Sequence, residues 1–173
     1  MTEVAVFAGG CFWCMEPLFD KLKGVISTTS GYVGGIVAHP SYEQVCKGNT
    51  GHLEAVKIVF DPLIITYSEL LDVFWHHIDP TDPQGQFCDK GEQYLSAIFY
   101  ADERQKTVAE GSKGEIAKAL NGQPIYTQIR PLTLFNPAED YHQEFYQKNP
   151  AHYQSYRSCC GRDQRLKELW GKL

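Results

Sequence analysis

The stretch VAVFAGGCFWCMEPLF, residues 4–19, constrains the fold more than any other part of the chain. Val4–Ala8 is a short apolar run rich in Val and Phe, the composition of a buried strand. It passes through Gly9 and Gly10 into Leu18, Phe19 and Leu22, which recur at helical spacing. Pro17 fits near the start of such a helix, where its missing N–H leaves no bond unmade. Cys11 is therefore predicted where a strand ends and a helix begins, with Cys14 one turn further on. The two glycines ahead of it are expected to leave the Cys11 sulfur approachable.

Strands and helices alternate over most of the remaining chain. VISTTSGYVGG (25–35) reads as a β-branched strand closed by a glycine turn, and its glycines match neither a dinucleotide nor a phosphate-loop fingerprint. Residues 42–60 pass from a short helical piece through Gly-Asn-Thr-Gly into a strand that alternates Ala55, Lys57, Val59 with Val56, Ile58, Phe60. The clearest helix is 66–80, with Thr66 and Glu69 as a capping box and Leu70, Leu71, Phe74 and Trp75 as its apolar face. A Pro-, Gly- and Asp-rich loop (79–93), a strand (94–101), an amphipathic helix (102–120) and a strand broken by Pro131 (124–135) follow. Beyond residue 136 the periodicity weakens. That segment reads as an extended tail, 136–173, wrapped over the rest, with a last helical piece in DQRLKELWG. The pattern predicts one α+β domain over 1–173: a two-layer α/β sandwich with a mixed central sheet, a ferredoxin-like core.

The net charge of −5 argues against nucleic acid as a partner, which needs a clustered basic face. No run approaches the roughly 18 apolar residues of a membrane span, and MTEVAVFAGG lacks the basic start of a secretory signal. The expectation is a cytoplasmic protein without membrane partners. In a reducing compartment, six cysteines at 11, 14, 46, 88, 159 and 160 point to catalysis or metal binding rather than a stapled scaffold.

Three chemistries suit the pair Cys11 and Cys14. A thiol in the first turn of a helix faces unpaired N–H groups and the positive end of the helix dipole, which favours the nucleophilic thiolate. A zinc module would need a second ligand pair, and the adjacent Cys159-Cys160 is awkwardly spaced for one tetrahedral site. A dithiol–disulfide oxidoreductase has the spacing, but Phe12 and Trp13 suggest a wall for an apolar group instead. Cβ atoms at i and i+3 lie about 5–6 Å apart, so a small adjustment lets Cys14 trap an oxidised Cys11.

GGCFWCMEPLF, SGYVGG, YEQVCKGNTGHLEAV, QFCDKGEQYLSAIFY and PAEDYHQEFYQKNP together resemble the A-type peptide methionine sulfoxide reductases, in order from about residue 4 to the C-terminus. The resemblance implies reduction of the S epimer of methionine sulfoxide, in proteins or as the free amino acid. It also implies no prosthetic cofactor, with thioredoxin or another dithiol as reductant. On matching positions it implies Cys11 as nucleophile, Glu54 as proton source, and Tyr42 and Tyr94 as hydroxyl donors to the sulfoxide oxygen. Phe12 and Trp13 would pack on the substrate's S-methyl group, with Asp89 and His142 also contacting substrate. The family's usual motif is Gly-Cys-Phe-Trp-Gly, so Cys14 stands where glycine normally does. Both Cys14 and Cys160 are candidates to resolve the sulfenic acid, with Cys159 beside the latter. Cys46 and Cys88 are expected to be bystanders.

Overall fold

The computed structural model describes residues 1–171. Its strands are β1 (Glu3–Gly9), β2 (Val25–Val33), β3 (Leu53–Phe60), β4 (Gly85–Gln86), β5 (Asp89–Lys90), β6 (Ser96–Tyr100), β7 (Gln128–Pro131) and β8 (Asn136–Pro137). Its helices are α1 (Phe12–Asp20), α2 (Tyr42–Cys46), α3 (Tyr67–Trp75), α4 (Glu103–Ala119), α5 (Phe145–Lys148), α6 (Pro150–Cys160) and α7 (Arg162–Trp170).

Six strands form one sheet in the order β7-β6-β1-β3-β2-β8, while β4 and β5 pair as a separate hairpin. Every pairing in the large sheet is antiparallel except β6 with β7, so the sheet is mixed as expected. The inner order β6-β1-β3-β2, with α1 joining β1 to β2 and α3 lying between β3 and β6, is the split βαβ arrangement of a ferredoxin-like core. Period-two alternation sorts the two faces. Phe7, Val56, Ile58, Phe60 and Ile98 point into the main core with Phe12, Met15 and Phe19 of α1 and Leu70, Leu71 and Phe74 of α3. Val6, Ala8, Leu53, Ala55 and Phe99 face the other way into a smaller cluster.

The predicted capping box of α3 is present: Glu69 N–H donates to Thr66 Oγ1, and Thr66 N–H donates to Glu69 Oε1. Three local expectations need correction. Pro17 lies in the second turn of α1, not the first, since the helix begins at Phe12; packing of its buried ring outweighs the lost backbone bond. Only Gln128–Pro131 and Asn136–Pro137 of the stretch 124–135 and its end are strand, the first running parallel to β6. The segment after 136 does wrap over the sheet's helical layer, but as α5, α6 and α7 rather than as extended chain. Pro150 starts α6 and Gly161, in the left-handed region, separates α6 from α7. These helices bury few residues each, Tyr153 and Cys160 in α6 and Arg162 and Leu166 in α7, so their sequence carries little amphipathic signal.

One side chain fastens this tail. Arg162 is 1% exposed; its guanidinium donates to Gly9 O at 3.1 Å and His77 O at 2.9 Å, and stacks 4.3 Å from the Phe87 ring. Arg162→Met keeps the volume but strands both carbonyls, and is expected to cost about 2–4 kcal/mol of stability. Chemical denaturation checks this; an unchanged midpoint would show that the tail is held by other contacts.

Candidate active site

Cys11 caps the N-terminus of α1 where β1 ends, as the sequence predicts, and Cys14 lies one turn on, its N–H bonded to Cys11 O at 3.1 Å. Both are free thiols. Cys11 is 7% exposed and Cys14 0%. The glycines ahead of them serve packing rather than access. Gly10 has φ +89°, and a Cβ there would lie 2.7 Å from Gln86 Cβ; a Cβ on Gly9 would lie 2.5 Å from the Met15 methyl.

The expectation that Cys11 ionises readily does not hold for the substrate-free protein. Burial pushes its thiol well above the usual range, assisted by its hydrogen bond to Cys14 and by neighbouring carboxylates, Glu54 first. Cys14 moves the opposite way, down to about 6, chiefly because the Cys11 thiol donates to it, with Arg162 and Arg157 adding positive charge nearby. The two thiols titrate as a pair: burial favours keeping a proton on Cys11, and the contact with Cys11 and the two arginines favours the thiolate at Cys14.

Glu54 lies on β3, whose alternation directs Leu53 and Ala55 to one face and Glu54 with Val56 to the other. It is 1% exposed and accepts the Phe12 N–H at 3.2 Å, the amide immediately after Cys11. Burial raises its carboxyl to about 8, against the lowering effect of that hydrogen bond, so the acid is protonated at neutral pH. Tyr42 and Tyr94 are half-buried and close enough to Glu54 and Cys11 for those charges to raise both phenols further, burial being the larger cause for each. Both hydroxyls therefore remain donors.

Phe12 is buried and Trp13 half-buried. The Trp13 indole stacks on Phe145 with centroids 3.8 Å apart, and its Nε1–H donates to His142 Nδ1 at 3.0 Å. That bond fixes the neutral tautomer of His142 with its proton on Nε2, and burial lowers the ring's pKa, which keeps it so. Rings of Phe12 (5.1 Å), Tyr42 (4.5 Å) and Tyr141 (4.0 Å) surround His142, whose Nε2 is buried without a hydrogen-bond partner. His52 instead ties the loop ahead of Glu54, accepting Gly35 N–H and bonding Val37 O.

The structure therefore brings Cys11, Cys14, Phe12, Trp13, Tyr42, Glu54, Tyr94 and His142 into one neighbourhood. Asp89 borders it from β5, half-buried and accepting the hydroxyl of Tyr156. Cys160 does not approach as a free thiol: it is bonded to Cys88, which corrects the reading of Cys88 as a bystander. Cys46 and Cys159 are free and exposed. Cys88, Asp89 and Cys160 offer ligand atoms within 4.8 Å of one another, but the two sulfurs are spent on each other. Among the described residues, Cys11 and Cys14 belong to no such three-ligand cluster, which weakens the zinc reading.

Tyr156 was not foreseen. It packs edge-on to Trp13 at 5.9 Å and places its hydroxyl 3.6 Å from Cys160 Sγ and 3.9 Å from Cys88 Sγ. Its only sequence signal is the helical spacing Tyr153, Tyr156, Cys160 in a segment read as extended.

Comparison with known proteins agrees with this geometry. The family model described as peptide methionine sulfoxide reductase matches residues 3–173. The chain is 52% identical to peptide methionine sulfoxide reductase MsrA of Ligilactobacillus salivarius, over 97% of this chain and 98% of that one. It is 51% identical to the MsrA of Bacillus subtilis, over 98% and 96%. Among solved structures, reduced Mxr1 of Saccharomyces cerevisiae superposes with a TM-score of 0.82 at 32% identity, covering 87% of each chain. Methionine sulfoxide reductase A of Corynebacterium diphtheriae superposes with a TM-score of 0.78 at 36% identity, covering 86% of this chain and 76% of the other. With a cysteine at the strand–helix junction, a buried acid bonded beside it and likeness along nearly its whole length, the chain belongs to the peptide methionine sulfoxide reductase family, in its A type.

Proposed function

We propose that this chain, acting as a single domain, reduces methionine S-sulfoxide to methionine, in oxidised proteins and peptides or as the free amino acid, and is recycled by thioredoxin. The observation that carries the reading is Glu54: a carboxyl held protonated to about 8 and hydrogen-bonded to the amide next to Cys11. Thiol–disulfide exchange between proteins has no use for such an acid, whereas a departing sulfoxide oxygen needs one.

Cys11 Sγ attacks the sulfoxide sulfur as its proton passes to the Cys14 thiolate. Glu54 gives its proton to the sulfoxide oxygen, and the Tyr42 and Tyr94 hydroxyls donate hydrogen bonds to it. Oxygen ends on Cys11 as a sulfenic acid and methionine leaves. Cys14 then attacks Cys11 Sγ, a Cys11–Cys14 disulfide forms and water departs, taking the Cys14 proton. Phe12 and Trp13 offer the S-methyl group an apolar wall, Asp89 borders the substrate, and the His142 Nε2–H is an unspent donor for it.

The test supplies fully reduced protein with each sulfoxide epimer and counts thiols. Two thiols lost per methionine formed, from the S epimer alone, supports the reading; methionine from the R epimer, or none, contradicts it. The single-turnover rate is expected to be bell-shaped. It falls below about 6 as Cys14 protonates and can no longer accept the Cys11 proton, and above about 8 as Glu54 loses the proton it must donate. A profile flat from pH 5 to 9 would remove both residues from these roles.

A further inference from the structure

The mechanism leaves one buried carboxyl of α1 unused. Glu16 is 1% exposed and enters neither the attack at Cys11 nor the proton transfer from Glu54. Burying such a group is costly unless its oxygens are answered by donors, and here they are. Oε1 accepts the Glu144 N–H at 2.7 Å and the Ser30 hydroxyl at 3.2 Å. Oε2 lies 3.0 Å from Thr28 Oγ1, whose one hydrogen it shares with Asp20 Oδ1 at 3.3 Å. Burial pushes the Glu16 carboxyl up, while the donors from Glu144, Thr28 and Ser30 pull it back.

What Glu16 holds is a hook in the tail. Glu144 has φ +50°, left-handed backbone that a side chain other than glycine rarely adopts, and this turn directs its N–H at the Glu16 carboxyl. Gln143 anchors the same hook to β2: its Oε1 accepts the Ser30 N–H at 2.8 Å, and its Nε2 donates to Ser30 O at 2.8 Å and Ala138 O at 3.0 Å. The hook carries both residues that fix Trp13. His142 accepts the indole Nε1–H at 3.0 Å, and Phe145 stacks on the ring at 3.8 Å. Trp13 and Glu16 stand three apart on α1, neighbours on one side of the helix. The helix therefore grips the hook twice, once by ring and once by carboxylate.

We propose that Glu16 is a positioning residue for substrate binding: by fixing the Glu144 turn it sets His142 and Phe145, and through them the Trp13 ring that walls the sulfoxide's S-methyl group. This rests on the reading that Cys11 reduces the sulfoxide with Trp13 beside the methyl. The role requires reach rather than charge, because Oε1 must span from α1 to the Glu144 N–H. Glu16→Gln keeps the length and an acceptor oxygen for that N–H, and its amide can donate to Thr28 Oγ1 in turn. Glu16→Asp keeps the carboxylate but draws it back by one methylene, away from the hook.

The test compares these two variants in single turnovers with a peptide carrying methionine S-sulfoxide. Glu16→Asp is expected to raise the half-saturating concentration about tenfold and to leave the saturating rate within about threefold, since Cys11 and Glu54 are untouched. Glu16→Gln is expected to stay within about twofold of the wild type on both. By NMR, the Trp13 indole N–H is expected to exchange faster with solvent in the aspartate variant. The Trp75 indole, bonded to Ser112 Oγ at 2.8 Å, is expected to stay as it was and reports on the rest of the fold. Wild-type binding in Glu16→Asp, with Trp13 unmoved, overturns the positioning role. Failure of Glu16→Gln alongside Glu16→Asp also overturns it, by assigning the effect to charge. A collapsed saturating rate with loosening at Trp75 leaves Glu16 a structural group only and overturns it too. In the wild-type protein the Glu144 amide is expected to resist hydrogen exchange; ready exchange there overturns the clasp however the variants fold. A wild-type protein that forms no methionine overturns instead the reading at Cys11.

Discussion

Serine in place of Cys11 is expected to reduce methionine formation to the uncatalysed background, even with excess chemical dithiol present. The substitution removes the sulfur at the strand–helix junction, next to the amide that holds the Glu54 carboxyl. A serine hydroxyl is a far weaker acid than a thiol, and the neighbouring groups are too weakly basic to give it an alkoxide near neutral pH. Cys14 cannot take over, since it is completely buried behind Trp13 and Phe145. Chemical dithiol rescues only the recycling steps, not the attack. Serine differs from cysteine by one atom in a site already rich in polar partners, so the melting temperature should move by a few degrees at most. Residual turnover above a few per cent, in a protein shown to be folded, would relocate the nucleophile.

Glu54→Gln is expected to lower the single-turnover rate by roughly 10²–10⁴-fold while leaving substrate affinity within a few-fold of its original value. Glutamine keeps the volume, and its side-chain carbonyl can still accept the Phe12 N–H. It has no proton to give. The pH profile separates a chemical role from a structural one: the fall in rate above about 8 belongs to ionisation of Glu54 and should vanish in the variant. The fall below about 6 belongs to Cys14 and should remain. An alkaline limb that persists in Glu54→Gln would assign the proton to another group.

Much of this protein is legible in its sequence, for reasons that differ by region. Strands announce themselves by alternation, so the reading of Ala55, Lys57 and Val59 against Val56, Ile58 and Phe60 falls within the observed strand Leu53–Phe60. The α3 boundary is set by Thr66 and Glu69, a local signal that needs no tertiary context. The tail obeys neither rule. Its helices lie on the outside of the helical layer and bury one or two side chains each, and the strongest of those contacts is a buried arginine, which no apolar pattern would reveal. The site divides in the same way. Cys11 and Glu54 lie in contiguous motifs whose chemistry reads directly from the residues around them. The bond between Cys88 and Cys160 joins positions 72 apart and depends on how α6 comes down on the hairpin. The direction of the Cys11 shift could not be read either: the dipole argument is local, whereas burial is a consequence of the whole fold.

Transfer of oxygen to the Cys11 sulfur is tested most directly by trapping the product of that step. Protein carrying Cys14→Ser, Cys88→Ser and Cys160→Ser has none of the proposed thiols that would consume a sulfenic acid at Cys11. Incubated with methionine S-sulfoxide and dimedone, then digested and mapped by mass, it is expected to carry one dimedone adduct on Cys11 for each methionine released. Methionine released while Cys11 remains an unmodified thiol would contradict the mechanism at its first step.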